Sequence, residues 1–212
     1  MDYRTDSPQL LLDFLSYHET IKAHSQRTVD EYYLDMRNFF RYLKQQRDSA
    51  LADKALDEID IRDVDIDFIS RITLTDIYSY LTYLSRDRVQ HQNSEISNKG
   101  LNAASRARKL ATIRSFFNYI CNKRHLLEDN PCKDVDTPKQ MKSLPRYLTL
   151  DDSLSLLNAV DGKHKERDFC IITLFLNCGL RISELIGLNI SDIKDDALRV
   201  LGKGNKVRVV YL

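Results

Sequence analysis

The chain has no tryptophan, few glycines and prolines (6 and 4 of 212 residues), and 4 cysteines without a Cys-x-x-Cys pair. Nothing in this composition points to a disordered, repetitive or low-complexity chain, so an ordinary globular fold of one large or two small domains is expected. Cys121, Cys132, Cys170 and Cys178 form neither a disulfide framework nor, with the nearby histidines, a zinc pattern; they read as reduced core thiols, and no metal or other cofactor is implied. No stretch approaches the roughly 20 apolar residues of a membrane span, and the N-terminus, with Asp2 and Asp6, is not a signal peptide. A cytoplasmic location without membrane contact is the expectation. Charge of one sign is missing too: 32 Lys and Arg balance 31 Asp and Glu. Net charge therefore says nothing about nucleic acid, but its distribution does. Residues 102–146 hold ten basic and four acidic side chains, while residues 49–66 hold six acidic and two basic. The first segment suits phosphate and the second repels it.

Apolar spacing predicts a helical first half. Pro8 after the cap Ser7 opens a helix carrying Leu11, Leu12, Phe14, Leu15 and Ile21, and Ser25 or Thr28 caps a second with Tyr32, Tyr33, Met36, Phe39, Phe40, Tyr42 and Leu43. Residues 49–66 read as a connection tolerant of insertion. Thr73 or Thr75 caps a third helix with Ile77, Tyr80, Leu81 and Leu84. A fourth, from Asn102 or Ser105, carries Leu110, Ile113, Phe116, Phe117 and Ile120. Tyr32, Tyr33, Tyr42, Tyr80 and Tyr119 share this spacing and read as core or core-rim residues. Asn130-Pro131, Pro138 and Pro145 mark an extended linker. The expected division is 1–130 helical, 131–146 linker and 147–212 a second domain. There, Phe169 to Cys178 reads as a buried helix ended by Gly179, and strands flank the turn Gly202-Lys203-Gly204-Asn205.

Two features carry chemistry. In Gly179-Leu-Arg-Ile-Ser-Glu-Leu-Ile-Gly-Leu188, Arg181 falls just past a helix-ending glycine, where a guanidinium can point outward at an anion. Glu184, three residues on, can orient that guanidinium or act as a helix N-terminal acid, and the two roles are compatible. Lys203 sits at a hairpin tip between two glycines. An arginine fork on phosphate oxygens with a lysine beside it suits phosphoryl transfer without metal. The bland alternatives are a surface arginine paired to a carboxylate and a solvated turn lysine.

With these motifs, in this order and spacing, the chain resembles the tyrosine recombinase (phage integrase) family, and most closely its Xer-type bacterial members, over nearly its whole length. The resemblance implies a mainly α fold: an N-terminal four-helix, SAM-like core-binding domain, then the first part of an α+β catalytic domain with a β-hairpin. It implies site-specific DNA strand cleavage and rejoining through a 3'-phosphotyrosine, with Arg181 on the scissile phosphate and Lys203 as the acid for the 5'-hydroxyl. It implies duplex DNA as partner and, for a full-length enzyme, a tetramer of recombinase protomers on paired sites. DNA contacts are expected from Ser25, Gln26, Arg27 and Thr28 at a helix N-terminus. Others are expected from Ser105, Arg106, Arg108, Lys109 and Arg114 on the fourth helix, and from the linker residues Lys139, Lys142 and Arg146. Lys206 and Arg208 are expected to touch backbone phosphate or to be solvated. The family also uses a His-x-x-Arg motif, a further His or Trp and a late nucleophilic tyrosine. The sequence stops before them, so the expectation is a truncated chain that binds DNA but is inactive alone. The rival readings are a noncatalytic DNA-binding regulator and a helical protein-interaction module.

Overall fold

A computed structural model describes residues 3, 5–88, 99–139, 144, 146–202, 204 and 206–211. Lys142 and Lys203, both singled out above, lie outside the described residues. The chain divides into two units, Met1–Lys142 and Ser143–Leu212.

In the first unit the apolar stripes become buried helix faces. α1 (Gln9–Ser16) starts behind Pro8, which takes the N-cap in place of Ser7, and buries Leu11, Phe14 and Leu15; it runs on into one π turn, Tyr17–Ile21. α2 (Gln26–Arg47) is capped by Ser25, whose hydroxyl accepts the Thr28 N–H at 3.4 Å. α3 (Ile66–Ser70) is a short extra helix capped by Asp65. α4 (Leu74–Arg86) opens with a capping box between Thr73 and Asp76, and α5 (Ala103–Asn122) is capped by Asn102. Caps satisfy only end groups; the helices hold because α2 and α5 bury aromatic faces against α1 and α4. Phe116 meets Phe14 and Phe40 edge-on at 5.4 and 5.6 Å, and Phe39 meets Tyr80 at 5.0 Å. Tyr33, Tyr42, Tyr80 and Tyr119 are core residues, and Tyr32 packs at the rim.

Two stretches pack more deeply than their sequence suggests. Residues 49–66, read as a connection, place Ile59, Ile61 and Val64 at 1, 1 and 4 % exposure, with single 3-10 turns at Ser49–Leu51 and Leu56–Glu58. Their acids face water while these three apolar side chains turn inward. Cys132 and Val135, within the stretch read as linker, are buried in the same core.

The second unit has α6 (Leu150–Asn158), entered through a Thr149–Asp152 capping box, α7 (Lys165–Cys178) and α8 (Ile182–Ile186). A three-stranded antiparallel sheet in the order β1-β2-β3 follows, made of β1 (Ile193–Lys194), β2 (Ala197–Leu201) and β3 (Val207–Tyr211). Among the described residues of this unit, Leu180, Leu198 and Val200 form the buried apolar cluster. α7 is not the buried helix expected, because Phe169 is 44 % exposed and Cys170 is also exposed. Of the four cysteines only Cys121 and Cys132 are buried thiols. No helix among the described residues is long and apolar enough to cross a membrane.

Candidate phosphate and nucleic-acid site

Gly179 ends α7 in the left-handed region (φ 56°, ψ 38°), and its N–H bonds to the Phe175 carbonyl. The turn brings Arg181 to the N-cap of α8, where Glu184 in the first helical turn accepts its backbone N–H at 2.9 Å. The same carboxylate takes the Arg181 guanidinium at 2.7 Å through Nη1. Glu184 therefore acts both as helix N-terminal acid and as the group that orients Arg181. Its side chain is 3 % exposed while that of Arg181 is 65 % exposed, so a sealed carboxylate holds an open cation. The backbone N–H of Arg181, then the Arg181 guanidinium and the charge of Arg208, hold the Glu184 carboxyl below the usual carboxylate range against the opposing effect of burial.

Arg208 departs from its expected role. It is neither free nor merely solvated: its Nη2 donates to Glu184 Oε2 at 2.9 Å and reaches the Gly179 carbonyl at 3.4 Å. The register explains this, since Arg208 pairs with the buried Val200 and so faces the packed side of the sheet. Val207, Val209 and Tyr211 take the exposed side. Gly202 completes the corner; a Cβ there would stand 3.3 Å from Glu184 Oε1 and from the Lys206 carbonyl oxygen. Among the described residues of the hairpin, Lys206 is exposed and forms no ion pair.

The first unit sorts its expected DNA contacts into spent and unspent groups. Lys109 is 7 % exposed and donates to Asp35 at 2.6 Å, so it cannot reach a phosphate; burial draws its ammonium below the usual lysine range despite Asp35. Arg108 holds the same carboxylate with both terminal nitrogens at 2.8 and 3.0 Å and approaches Glu31 at 3.2 Å. Thr112 adds a fourth bond to Asp35 at 2.9 Å. Arg108 and Lys109 thus neutralise a buried acid, which costs heavily to leave unpaired. Arg114 is also engaged, by the Val135 carbonyl and by Thr137 Oγ1 at 2.7 Å, so it staples α5 to the chain leaving it. Arg106 differs: it is half-buried, and its Nε has no hydrogen-bond partner. Ser105 uses its backbone N–H on the Asn102 cap at 2.8 Å. At the start of α2, Ser25 and Thr28 share a hydroxyl contact of 3.0 Å, Gln26 donates to Tyr3 Oη and Asp30, and Arg27 is exposed without an ion pair among the described residues. Lys139 and Arg146 are exposed.

Residues 146–212 match the family described as the Phage integrase family. The chain is 47 % identical over 205 residues to the tyrosine recombinase XerC of Caldanaerobacter subterraneus subsp. tengcongensis, covering 97 % of this chain and 55 % of that protein. With XerC of Myxococcus xanthus it shares 34 % identity over 210 residues, covering 97 % of this chain and 59 % of the relative. The chain thus spans a little over half the length of these curated relatives. In fold it is similar to a lambda integrase dimer bound to a COC' core site, with TM-score 0.58 and 19 % identity over 95 % of this chain and 48 % of the other. A lambda integrase tetramer bound to a Holliday junction gives the same TM-score, 0.58, over 95 % of this chain and 50 % of that one.

Proposed function

Because the chain belongs to the phage integrase family of tyrosine recombinases, as a Xer-like member, we propose that it grips duplex DNA in site-specific recombination and supplies the arginine that binds the scissile phosphate. The observation that carries the reading is the exposed Arg181 guanidinium held at the helix corner by the sealed Glu184 carboxylate. A donor fixed before the reaction loses no reorganisation energy as charge builds on the phosphate oxygens, and removing such a donor commonly costs ~10²-fold or more in rate. Arg181 keeps Nε and Nη2 for phosphate oxygens, since Glu184 takes only Nη1.

Lys203 is proposed as the acid for the 5'-hydroxyl, on the strength of its place in Gly202-Lys-Gly-Asn-Lys206. Arg27, Arg106, Lys139, Arg146 and Lys206 are proposed phosphate contacts, with Lys142 beside them in sequence; Ser25, Gln26, Thr28 and Ser105 add polar contacts at helix starts. Arg108, Lys109 and Arg114 serve the fold instead. The reading gives nucleophilic attack to no residue of this chain: Tyr211 lies on the sheet face opposite Arg208, and Tyr33, Tyr42, Tyr80 and Tyr119 belong to the core of the first unit. Protomers on paired DNA sites are the proposed working assembly, a reading supported by the lambda integrase tetramer bound to a Holliday junction.

Gel-shift titration across salt tests the reading. Counting Arg181 with the five cations named first, the logarithm of the binding constant should fall with the logarithm of salt at a slope of roughly −5, and Arg181→Ala should reduce its magnitude by about one. The chain alone should leave a nicked substrate uncleaved. Binding that ignores salt, or no binding, would sink the reading in favour of a protein-interaction module.

A further inference from the structure

We propose that Arg208 is a positioning residue of the phosphate corner, sharing the Glu184 carboxylate with Arg181, tying the hairpin to α8 and keeping the corner one positive charge in surplus. The inference rests on the phosphate role of Arg181 proposed above and adds a residue that acts through Glu184.

An arginine on the packed face of a small sheet must find acceptors, because an unpartnered guanidinium beside buried Val200 is costly. Arg208 finds two, and they bracket the corner: the Gly179 carbonyl before Arg181 and the Glu184 carboxylate after it. One guanidinium thus spans the end of α7 and the start of α8 and registers both to β3. The bare glycine at 202 leaves the carboxylate room on the hairpin side.

Charge counting gives the second consequence. Arg181 and Glu184 alone would be neutral and would attract a phosphate weakly. With Arg208 the trio carries one net positive charge. Its most open cation is Arg181, at 65 % side-chain exposure against 40 % for Arg208. Glu184 can then orient Arg181 without cancelling its attraction for an anion.

Two measurements on this chain separate the inference from the reading beneath it. The first is a pH titration of the Glu184 carboxyl carbon by NMR in wild type, Arg208→Gln and Arg208→Lys. Arg208→Gln should raise the midpoint, and Arg208→Lys should restore most of the shift. The second follows the Arg181 guanidinium resonances as inorganic phosphate is added. Arg208→Gln should raise the half-saturating concentration threefold or more, roughly the loss of one nearby charge at high effective dielectric, and Arg208→Lys should stay close to wild type. Unchanged values in Arg208→Gln for both measurements overturn the inference. If phosphate leaves the wild-type Arg181 signals unmoved, the phosphate reading fails, and the Glu184 titration still decides whether Arg208 positions the carboxylate. Should Arg208→Gln lose its dispersed amide spectrum, Glu184→Gln serves instead. With its acceptor weakened, the side-chain N–H groups of Arg208 in that variant should exchange with water faster than in wild type, and an unchanged exchange rate rejects action through Glu184.

Discussion

Ionisable side chains in the first unit owe their state to neighbours far away in sequence. Lys109 and Asp35 lie 74 positions apart, and nothing local to either betrays the pairing. A lysine among Arg106, Arg108 and Arg114 looks like part of a basic stripe until its ammonium is found inside. His18 is a second case. Only 7 % exposed, it faces Ser115 Oγ at 3.1 Å through Nε2 and His24 Nδ1 at 3.2 Å through Nδ1. Phe14, Tyr17 and Tyr32 pack edge-on against its ring, and Lys22 adds a nearby positive charge. Between the two facing nitrogens there is room for one proton. Burial, then His24, then Lys22 lower the His18 pKa from 6.5 to about 4. The folded state therefore binds fewer protons than the unfolded state between those values. The stabilisation is complete above the ordinary histidine pKa and is lost as pH falls through about 4. Allowing for solvent screening, the loss should be on the order of 2 kcal/mol. Urea midpoints at neutral pH and near pH 4 check this, since His18→Gln should flatten the dependence. Equal slopes for both proteins would show that other groups carry it.

Elements were legible where periodicity or a cap dictated them, and illegible where a face depended on a partner. The stripes of α2 and α5, the caps Ser25, Thr73 and Asn102, and the Gly179 stop all stand in the residue order. Ile59, Ile61 and Val64 were hidden by the acids between them, which mimic a solvated loop. The Arg181–Glu184 spacing was legible, because three residues on a helix share a face. The inward turn of Arg208 was not: its strand alternates Val207, Val209 and Tyr211 outward, the reverse of what hydrophobicity alone implies. The α7 stop can be tested directly. A Cβ on Gly179 would meet nothing within 4 Å, so any cost of Gly179→Ala is backbone strain at φ 56°. That strain should destabilise the second unit by about 1–2 kcal/mol, and Gly179→Asn, which tolerates the left-handed region, by less. Chemical denaturation followed by Arg181 amide signals would measure both. Alanine matching glycine would mean that the corner relaxes to another geometry.

At the scale of the whole molecule the two units differ in how much apolar surface each removes from water. The first assembles a continuous core in which Phe14, Phe39, Phe40, Phe116 and Phe117 are fully buried, each worth roughly 1.5–3 kcal/mol relative to exposure. Among its described residues the second has a buried apolar cluster of just Leu180, Leu198 and Val200, while Ile182, Ile186, Ile190 and Tyr211 are 68, 78, 91 and 73 % exposed. Backbone ordering costs about 1–2 kcal/mol per residue in both, so burial on that scale leaves the second unit little margin, whereas hydrogen bonds at its corner fix local geometry more than global stability. Residues 1–142 produced alone should therefore melt cooperatively with dispersed amide resonances. Residues 143–212 produced alone should melt broadly and bind an apolar dye such as ANS. A sharp transition and no dye binding in the second piece would show that its small core suffices. In that case the polar corner of Arg181, Glu184 and Arg208 would have to contribute global stability as well as the posture of one arginine, and Glu184→Gln should then lower the melting temperature of that piece.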